Sequence, residues 1–307
     1  MDHCVVWVHG IGPTVAGYSD SWTQAYNQYL NFPTTDFIEV LWADVYNSTA
    51  SKIAPLAMQE QLAEAQVRKN LTTVLLARVT ALAQNPAWLG EWAQITSRVA
   101  TGQALPPWVV NPDAYIGQFV EYLVDSDVRN AVKEKMKEKL RPLAERCDNI
   151  SIIAHSWGTV VAYESLLDLE TEMPALQIAH LFTLGSPLWL VQNLLEDSSG
   201  RKPSNVVNWV NIHAQSDMIG AGLTPAFQVD ADYAVPDFGN GDPHGSYFVP
   251  GNVAVQRDIV AAAILGKPVG ALIPAAAALV SAEVVSTTPE APNQTEPAFS
   301  SKQAHLN

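Results

Sequence analysis

Residues 150–158 read Ile-Ser-Ile-Ile-Ala-His-Ser-Trp-Gly, a short apolar stretch that ends in a serine between small residues and opens into the helical pattern of 159–168. A hydroxyl at such a junction is suited to nucleophilic attack, because a chain that turns sharply from strand into helix leaves that side chain clear of the backbone. Positions two before and two after the serine crowd the neighbouring chain and need small residues. Here they are Ala154 and Gly158. The common form of this nucleophile elbow is GxSxG, so Ala154 departs from it by one methyl group. The spacing nominates Ser156 as a nucleophile. The competing explanation is a serine that caps a helix after a buried strand, so a base and an acid must be found elsewhere.

A serine hydroxyl is a poor nucleophile until a base removes its proton, and the base works best when a carboxylate fixes its tautomer and offsets its charge. In doubly wound hydrolases these arrive after the serine as acid and then histidine, on loops at the carboxyl ends of later strands. Of the seven histidines, His3 and His9 flank the first strand pattern, and His155 lies inside the elbow. His180 opens a strand, His213 sits at the end of another, and His305 is in the tail. His244 alone lies beyond the last clear strand pattern, in a Gly/Asp/Pro-rich loop (239–245) ahead of a helix, and by elimination it is the expected base. For the acid, Asp217 follows the run 206–213 in the turn Ala-Gln-Ser-Asp. Asp230, Asp232, Asp237 and Asp242 compete with it, but a carboxylate at a strand end is preorganised in a way that a loop aspartate is not. The oxyanion formed on an attacked carbonyl needs N–H donors. The residue after the nucleophile, Trp157, supplies one. The early loop His9-Gly10-Ile11-Gly12 supplies the second from Ile11, with Gly12 in reserve.

The elements that must carry these loops follow from periodicity. Residues 4–8 form a continuous apolar run, as expected of a strand covered on both faces. A helix capped by Asp20 or Ser21 runs to about Leu30, and 37–42 is a second strand. Long helical patterns follow over 53–84, 87–100 and 114–145, broken by Pro86, Gly102, Pro106, Pro107 and Pro112, with Trp88, Trp92 and Trp108 near the breaks. This is too much chain for one crossover, so 51–113 is expected to be an inserted helical cap. Strand patterns recur at 180–184 and 206–213, and more weakly at 227–235. Helices are expected at 187–195, where Ser186 and Pro187 resemble an N-cap and first helical residue, and at 253–265. The fold class is therefore α/β, a doubly wound and mostly parallel sheet, with a domain over 1–266. The tail 267–307 is expected to be partly disordered. Its apolar part, 271–285, contains Pro274 and Glu283 and is shorter than the roughly 20 residues that cross a bilayer.

Composition narrows the function class. Seventeen Lys and Arg against 31 Asp and Glu give a formal charge of -14, which repels nucleic acid and anionic lipid surfaces. No basic, apolar secretory leader opens the chain, so a cytoplasmic home is expected. The two cysteines, Cys4 and Cys147, lie in no CxxC or Cys/His cluster, so zinc is not expected. Buried, inert thiols are the first expectation; both fall near one end of the sheet if 4–8 and 150–154 are neighbouring strands, so a disulfide is conceivable, though disfavoured in a reducing compartment.

Residues 8–12, 154–158, the turn with Asp217 and the loop with His244 together resemble the α/β-hydrolase superfamily. The resemblance is to lipases and carboxylesterases with an HGxG oxyanion loop and an AHSxG elbow. The segment Leu184-Gly185-Ser186-Pro187 is similar to the strand end that follows the elbow strand in many lipases. The resemblance does not extend to the helical insertion or the tail. It implies an acyl-serine intermediate, water as the usual acceptor, no metal or organic cofactor, and a small-molecule or lipid ester as substrate. An acyltransferase or thioesterase with the same three residues, or a non-catalytic binding protein on this fold, remains open. Oligomeric state is not legible.

Overall fold

The computed structural model of the chain describes residues 3–12, 14–30, 35–49, 58–82, 112–239 and 242–269. The predicted helix over 87–100, Trp88, Trp92, Trp108 and the tail beyond 269 lie outside the described residues.

Six parallel strands form one sheet in the order β2-β1-β3-β4-β5-β6. They are β1 (His3–Val8), β2 (Thr35–Val40), β3 (Asn149–His155), β4 (Ile178–Leu184), β5 (Val206–Ala214) and β6 (Ala231–Val235). The run in β1 is fully buried because both faces of the sheet are covered. Cys4, Val6 and Val8 point into one core, while Val5 and Trp7 point into the other, as the two-residue period of a strand requires. The first core lies under α4 (Pro112–Val124), α5 (Ser126–Leu140) and α6 (Gly158–Glu172), counted after α1 (Asp20–Leu30), α2 (Asp44–Thr49) and α3 (Met58–Leu82). The second lies under α1 and a C-terminal helix over 253–264, which contains a π-turn at Gln256–Ala261. Helix α3 docks through Leu71, with Val67 packed beside it. Among the described residues no helix is long and apolar enough to cross a membrane.

Chain direction across the sheet reverses between β1 and β3. From β1 the chain steps outward to β2, returns to the other side of β1 as β3, and then proceeds steadily to β6. The loops after β1 and β3 therefore lie side by side where the strand order reverses, at the carboxyl end of the sheet, the place where parallel sheets of this kind bind ligands. The register Val8↔Ala154 brings the segment that begins at His9 level with Ser156.

Several expected elements are adjusted. The helix predicted over 114–145 is two helices and a further short turn of helix, Leu143–Arg146; the Asp125 side chain accepts hydrogen bonds from the Asp127 and Val128 amides and starts α5 afresh. The helix expected at 187–195 is one turn, Leu188–Val191, followed by a 3₁₀ turn, Gln192–Leu194. The weak strand at 227–235 is confined to Ala231–Val235. Of the two readings of the cysteines, inert thiols and a disulfide, the less favoured one holds: Cys4 and Cys147 form a disulfide with Cα atoms 6.0 Å apart. Adjacency of β1 and β3 accounts for it, since Cys147 stands two residues before the start of β3 and Cys4 lies opposite Ile150.

Candidate active site

Ser156 sits between β3 and α6 with φ of 53°, in the left-handed region that residues with a Cβ avoid. The surroundings hold it there. Its amide donates to the Leu184 carbonyl at 2.9 Å, and its own carbonyl accepts from the Thr159 amide and hydroxyl at 3.0 and 2.7 Å. The small flanking residues are required for a measurable reason. A Cβ on Gly158 would lie 2.3 Å from the His9 carbonyl oxygen, and one on Gly10 would lie 2.7 Å from the Ser156 Cβ. Such approaches exclude any side chain without a shift of backbone. Ala154, the departure from the common elbow, is fully buried in the sheet.

His244 reaches this serine across 88 residues of sequence, with Nε2 at 2.9 Å from the Ser156 Oγ. Its Nδ1 lies 3.0 Å from both carboxylate oxygens of Asp217. A carboxylate only accepts, so Nδ1 carries the hydrogen and Nε2 presents a lone pair to the hydroxyl. Asp217 is wholly buried and is satisfied from several sides. The Ile219 and Gly220 amides donate to Oδ1 at 2.8 Å each, and the Tyr247 hydroxyl donates to Oδ2 at 2.6 Å. Burial by itself would raise the Asp217 carboxyl. The His244 charge and hydrogen bond, the Gly220 amide and Tyr247 outweigh it and hold the group well below the usual carboxylate range. For His244, burial works against the cation, but Asp217 and then Asp242 prevail and raise its pKa above 6.5.

The rival aspartates are engaged elsewhere. Asp230 accepts from the Trp209 amide at 2.7 Å and pairs with Lys202, and Asp232 ties the Leu223 and Thr224 amides to Asn211. Asp237 accepts from the Ser216 amide, and Asp242 from the Gly245 amide. His9 is also committed: Nδ1 donates to the Gly10 carbonyl, Nε2 accepts from the Trp42 amide, and its ring stacks on Trp42 at 4.5 Å. Burial lowers its pKa to about 4 against the pull of Gly10, Glu39 and Asp44, so it shapes the turn as a neutral ring. His3 and His180 share Ser151 between them at 3.1 Å each, and His213 faces Asp232 at 3.7 Å.

Ile11 lies in the turn after β1, and Trp157 precedes α6. Among the described residues neither backbone N–H donates to a carbonyl of a turn or loop. The Trp157 side chain is core, packed on Phe119 at 4.4 Å and Tyr122 at 5.5 Å between ring centroids. Trp189 is tied by its Nε1 to the Ile219 carbonyl at 2.7 Å, on the loop that follows Asp217. Ser186 has a structural task, accepting from the Leu188 amide at 3.2 Å and bonding the Thr159 hydroxyl at 2.7 Å.

Four residues escaped sequence reasoning. Tyr247 supports Asp217 and accepts from the Ala214 amide at 2.9 Å. The His155 Nε2 donates to the His244 carbonyl at 2.7 Å. Gly185, at φ of 58°, leaves room for Asp217 and His244, since a Cβ there would lie 2.8 Å from an Asp217 oxygen and 3.1 Å from the His244 Nδ1. Gly220 closes the same space, with a Cβ meeting the Gly185 Cα at 2.4 Å. The Leu-Gly-Ser-Pro segment carried a signal for Gly185. The elbow motif contains His155 without stating its partner, and nothing local marks Tyr247 or Gly220.

No protein-family model matches the chain, and no curated protein matches it. Solved structures that match include an uncharacterized protein from Pseudomonas aeruginosa, at 13% identity and a TM-score of 0.32. The match covers 87% of this chain, which spans 46% of the length of that protein.

Proposed function

We propose that the chain is a serine hydrolase of carboxylic esters, built as an α/β-hydrolase domain over 1–266 with a helical cap inserted at about 51–113. The observation that carries the reading is the hydrogen-bonded series from Ser156 through His244 to Asp217, assembled at the elbow where the strand order reverses between β1 and β3. In the reaction, the Ser156 Oγ attacks the acyl carbon as its proton passes to the His244 Nε2. The carbonyl electron pair moves onto oxygen, which the Ile11 and Trp157 amides receive. When the tetrahedral adduct collapses, the leaving alcohol takes the proton from His244 and Ser156 keeps the acyl group. Water then repeats the sequence, giving its proton to His244, and the acid departs as Oγ regains a proton. Asp217 keeps its charge throughout and balances the imidazolium. The chemistry requires no cofactor. Trp189 and aromatics of the cap are candidates for the acyl pocket.

The same acyl-serine passes its acyl group to another nucleophile in an acyltransferase, and releases a thiol in a thioesterase. A fluorophosphonate probe tests the nucleophile directly. Wild type is expected to label, and S156A to lose labelling together with ester turnover, on the order of 10⁶-fold in kcat. A folded wild-type chain that does not label turns the reading toward a binding protein on this fold.

A further inference from the structure

The proposed reaction makes no use of the titratable side chain next to the nucleophile. His155 ends β3 with its ring among Trp22, Tyr247, Phe248 and His244; its centroid lies 4.7 Å from that of His244 and 5.2 Å from that of Phe248. Its Nε2 lies 2.7 Å from the main-chain oxygen of His244. A carbonyl only accepts, so Nε2 carries the hydrogen of a neutral ring and Nδ1 is bare. Nδ1 faces the oxyanion turn, where a Cβ on Gly10 would lie 3.5 Å from it. One side chain thus belongs to the elbow, bonds the loop of the base and touches the turn after β1. Burial, and then the charge of His244, lower its pKa from 6.5 to about 3, so it stays a neutral donor while His244 titrates.

We propose that His155 is a positioning residue whose Nε2–H clamps the main chain of His244 to the nucleophile elbow and thereby sets the distance between Ser156 and its base. The inference rests on the hydrolase reading of the site. Its physical basis is a short closed circuit. Ser156 and His155 are consecutive residues, and a single hydrogen bond returns from His155 to the residue whose Nε2 faces the Ser156 Oγ. Asp217 restrains the same imidazole only at Nδ1, from a different loop. The turn of His244 is otherwise tied locally, by Gly245 N–H to Asp242 and Ser246 N–H to Pro243, and the segment is anchored again three residues on, where the Tyr247 hydroxyl meets Asp217 and Ala214 and its carbonyl accepts from Tyr26; the His155 bond is the tie at the main chain of His244 itself that leads to the elbow. A clamp rooted beside the nucleophile moves with it, so motion of the sheet or of neighbouring helices leaves the reacting distance unchanged.

The test compares H155F, which keeps a ring and loses the donor, with H155Q, whose amide nitrogen approximates the position of Nε2. With a p-nitrophenyl ester, H155F is expected to lose about 10²-fold in kcat with little change in KM, the cost typical of a reacting group misplaced by about 1 Å. H155Q should recover most of that loss. Wild-type kcat in H155F, or equal losses in the two variants, overturns the clamp. Nitrogen NMR of the wild-type imidazoles guards against variants that fold poorly. His155 is expected as the neutral Nε2–H tautomer from about pH 5 to 9, and an Nδ1–H tautomer or a cation in that range overturns the proposal. A wild-type chain that neither labels with fluorophosphonate nor turns over any ester overturns the hydrolase reading and the role of His155 with it. Active wild type with an equally active H155F overturns the clamp alone.

Discussion

Asp217 and His244 are tuned against each other, and the sign of that tuning sets the pH dependence. A general base must be neutral, so activity should rise with pH through the His244 pKa, which Asp217 lifts above 6.5. In D217N the main lifting charge is gone and burial is opposed only by Asp242, so the acid limb of the kcat/KM profile is expected to move to lower pH. The plateau should fall on the order of 10⁴-fold, because the imidazolium loses its counter-charge and its tautomer is no longer fixed. A pH–rate profile measured on both proteins checks this, and an acid limb that stays in place or moves upward in D217N refutes the assignment of Asp217. Gly185 makes a second point about single residues. A methyl group there meets both the acid and the base, and the backbone is already left-handed. The Gly is a requirement of the pair it adjoins; the Leu-Gly-Ser-Pro segment marks the position, and only the contacts give the reason.

The elbow helix α6 begins against the carboxyl end of β1, and that contact is backbone on backbone. A Cβ on Gly158 would stand 2.3 Å from the His9 oxygen and 2.7 Å from the Val8 oxygen, so G158A forces α6 away from the sheet. The expected cost is about 1–3 kcal/mol in urea unfolding, with labelling of Ser156 slowed because the elbow opens. Unchanged stability in G158A would mean that the helix is not seated so closely. Between α5 and α6 the packing is of another kind. Arg129, Lys133 and Lys137 are buried on α5 and face Glu164, Asp168, Glu172 and Glu196. Four-residue spacing placed these cations on one face of the helix in the sequence, but a solvated face and a buried seam look alike until the partner helix is known. The Asp125 cap that divides the long predicted helix was hidden for a similar reason: an aspartate is compatible with a helix interior or with an N-cap, and only the hydrogen bonds it makes distinguish them.

Across the molecule the buried histidines make stability depend on acid. His3 and His9 are lowered from 6.5 to about 4 and His155 to about 3, burial being the leading cause in each case. The unfolded chain therefore binds more protons between pH 6.5 and 4, so stability is present in full above the unfolded pKa and declines as the pH falls toward the folded value. The Tm is expected to drop over that window in calorimetry. A Tm that is flat or rising toward pH 4 contradicts the burial of these rings. His244 has the opposite sense, since its raised pKa favours folding below 6.5, and one such group does not reverse three. The disulfide adds a separate term. Closing a separation of 143 residues restricts the unfolded chain, and C147S is expected to lose about 2–5 kcal/mol of stability relative to oxidised wild type. A cytoplasmic home and this bond pull in opposite directions, because reducing compartments keep thiols open. Thiol titration of denatured protein, purified without reductant, should find none free.

Local pattern was enough for the order of the six strands, the elbow at Ser156 and the glycine turn after β1. Each of these depends on residues within one turn or strand, where sterics and periodicity act directly on neighbours. The ranking of Asp217 above four other aspartates, and of His244 above six other histidines, also came from order along the chain. What order could not supply was contact between distant segments: the pairing of β1 with β3 that joins Cys4 to Cys147, Tyr247 behind the acid, and His155 beneath the base. These belong to tertiary structure because a hydrogen bond or a disulfide acts only over a few ångströms, and the sheet alone decides which residues come that near.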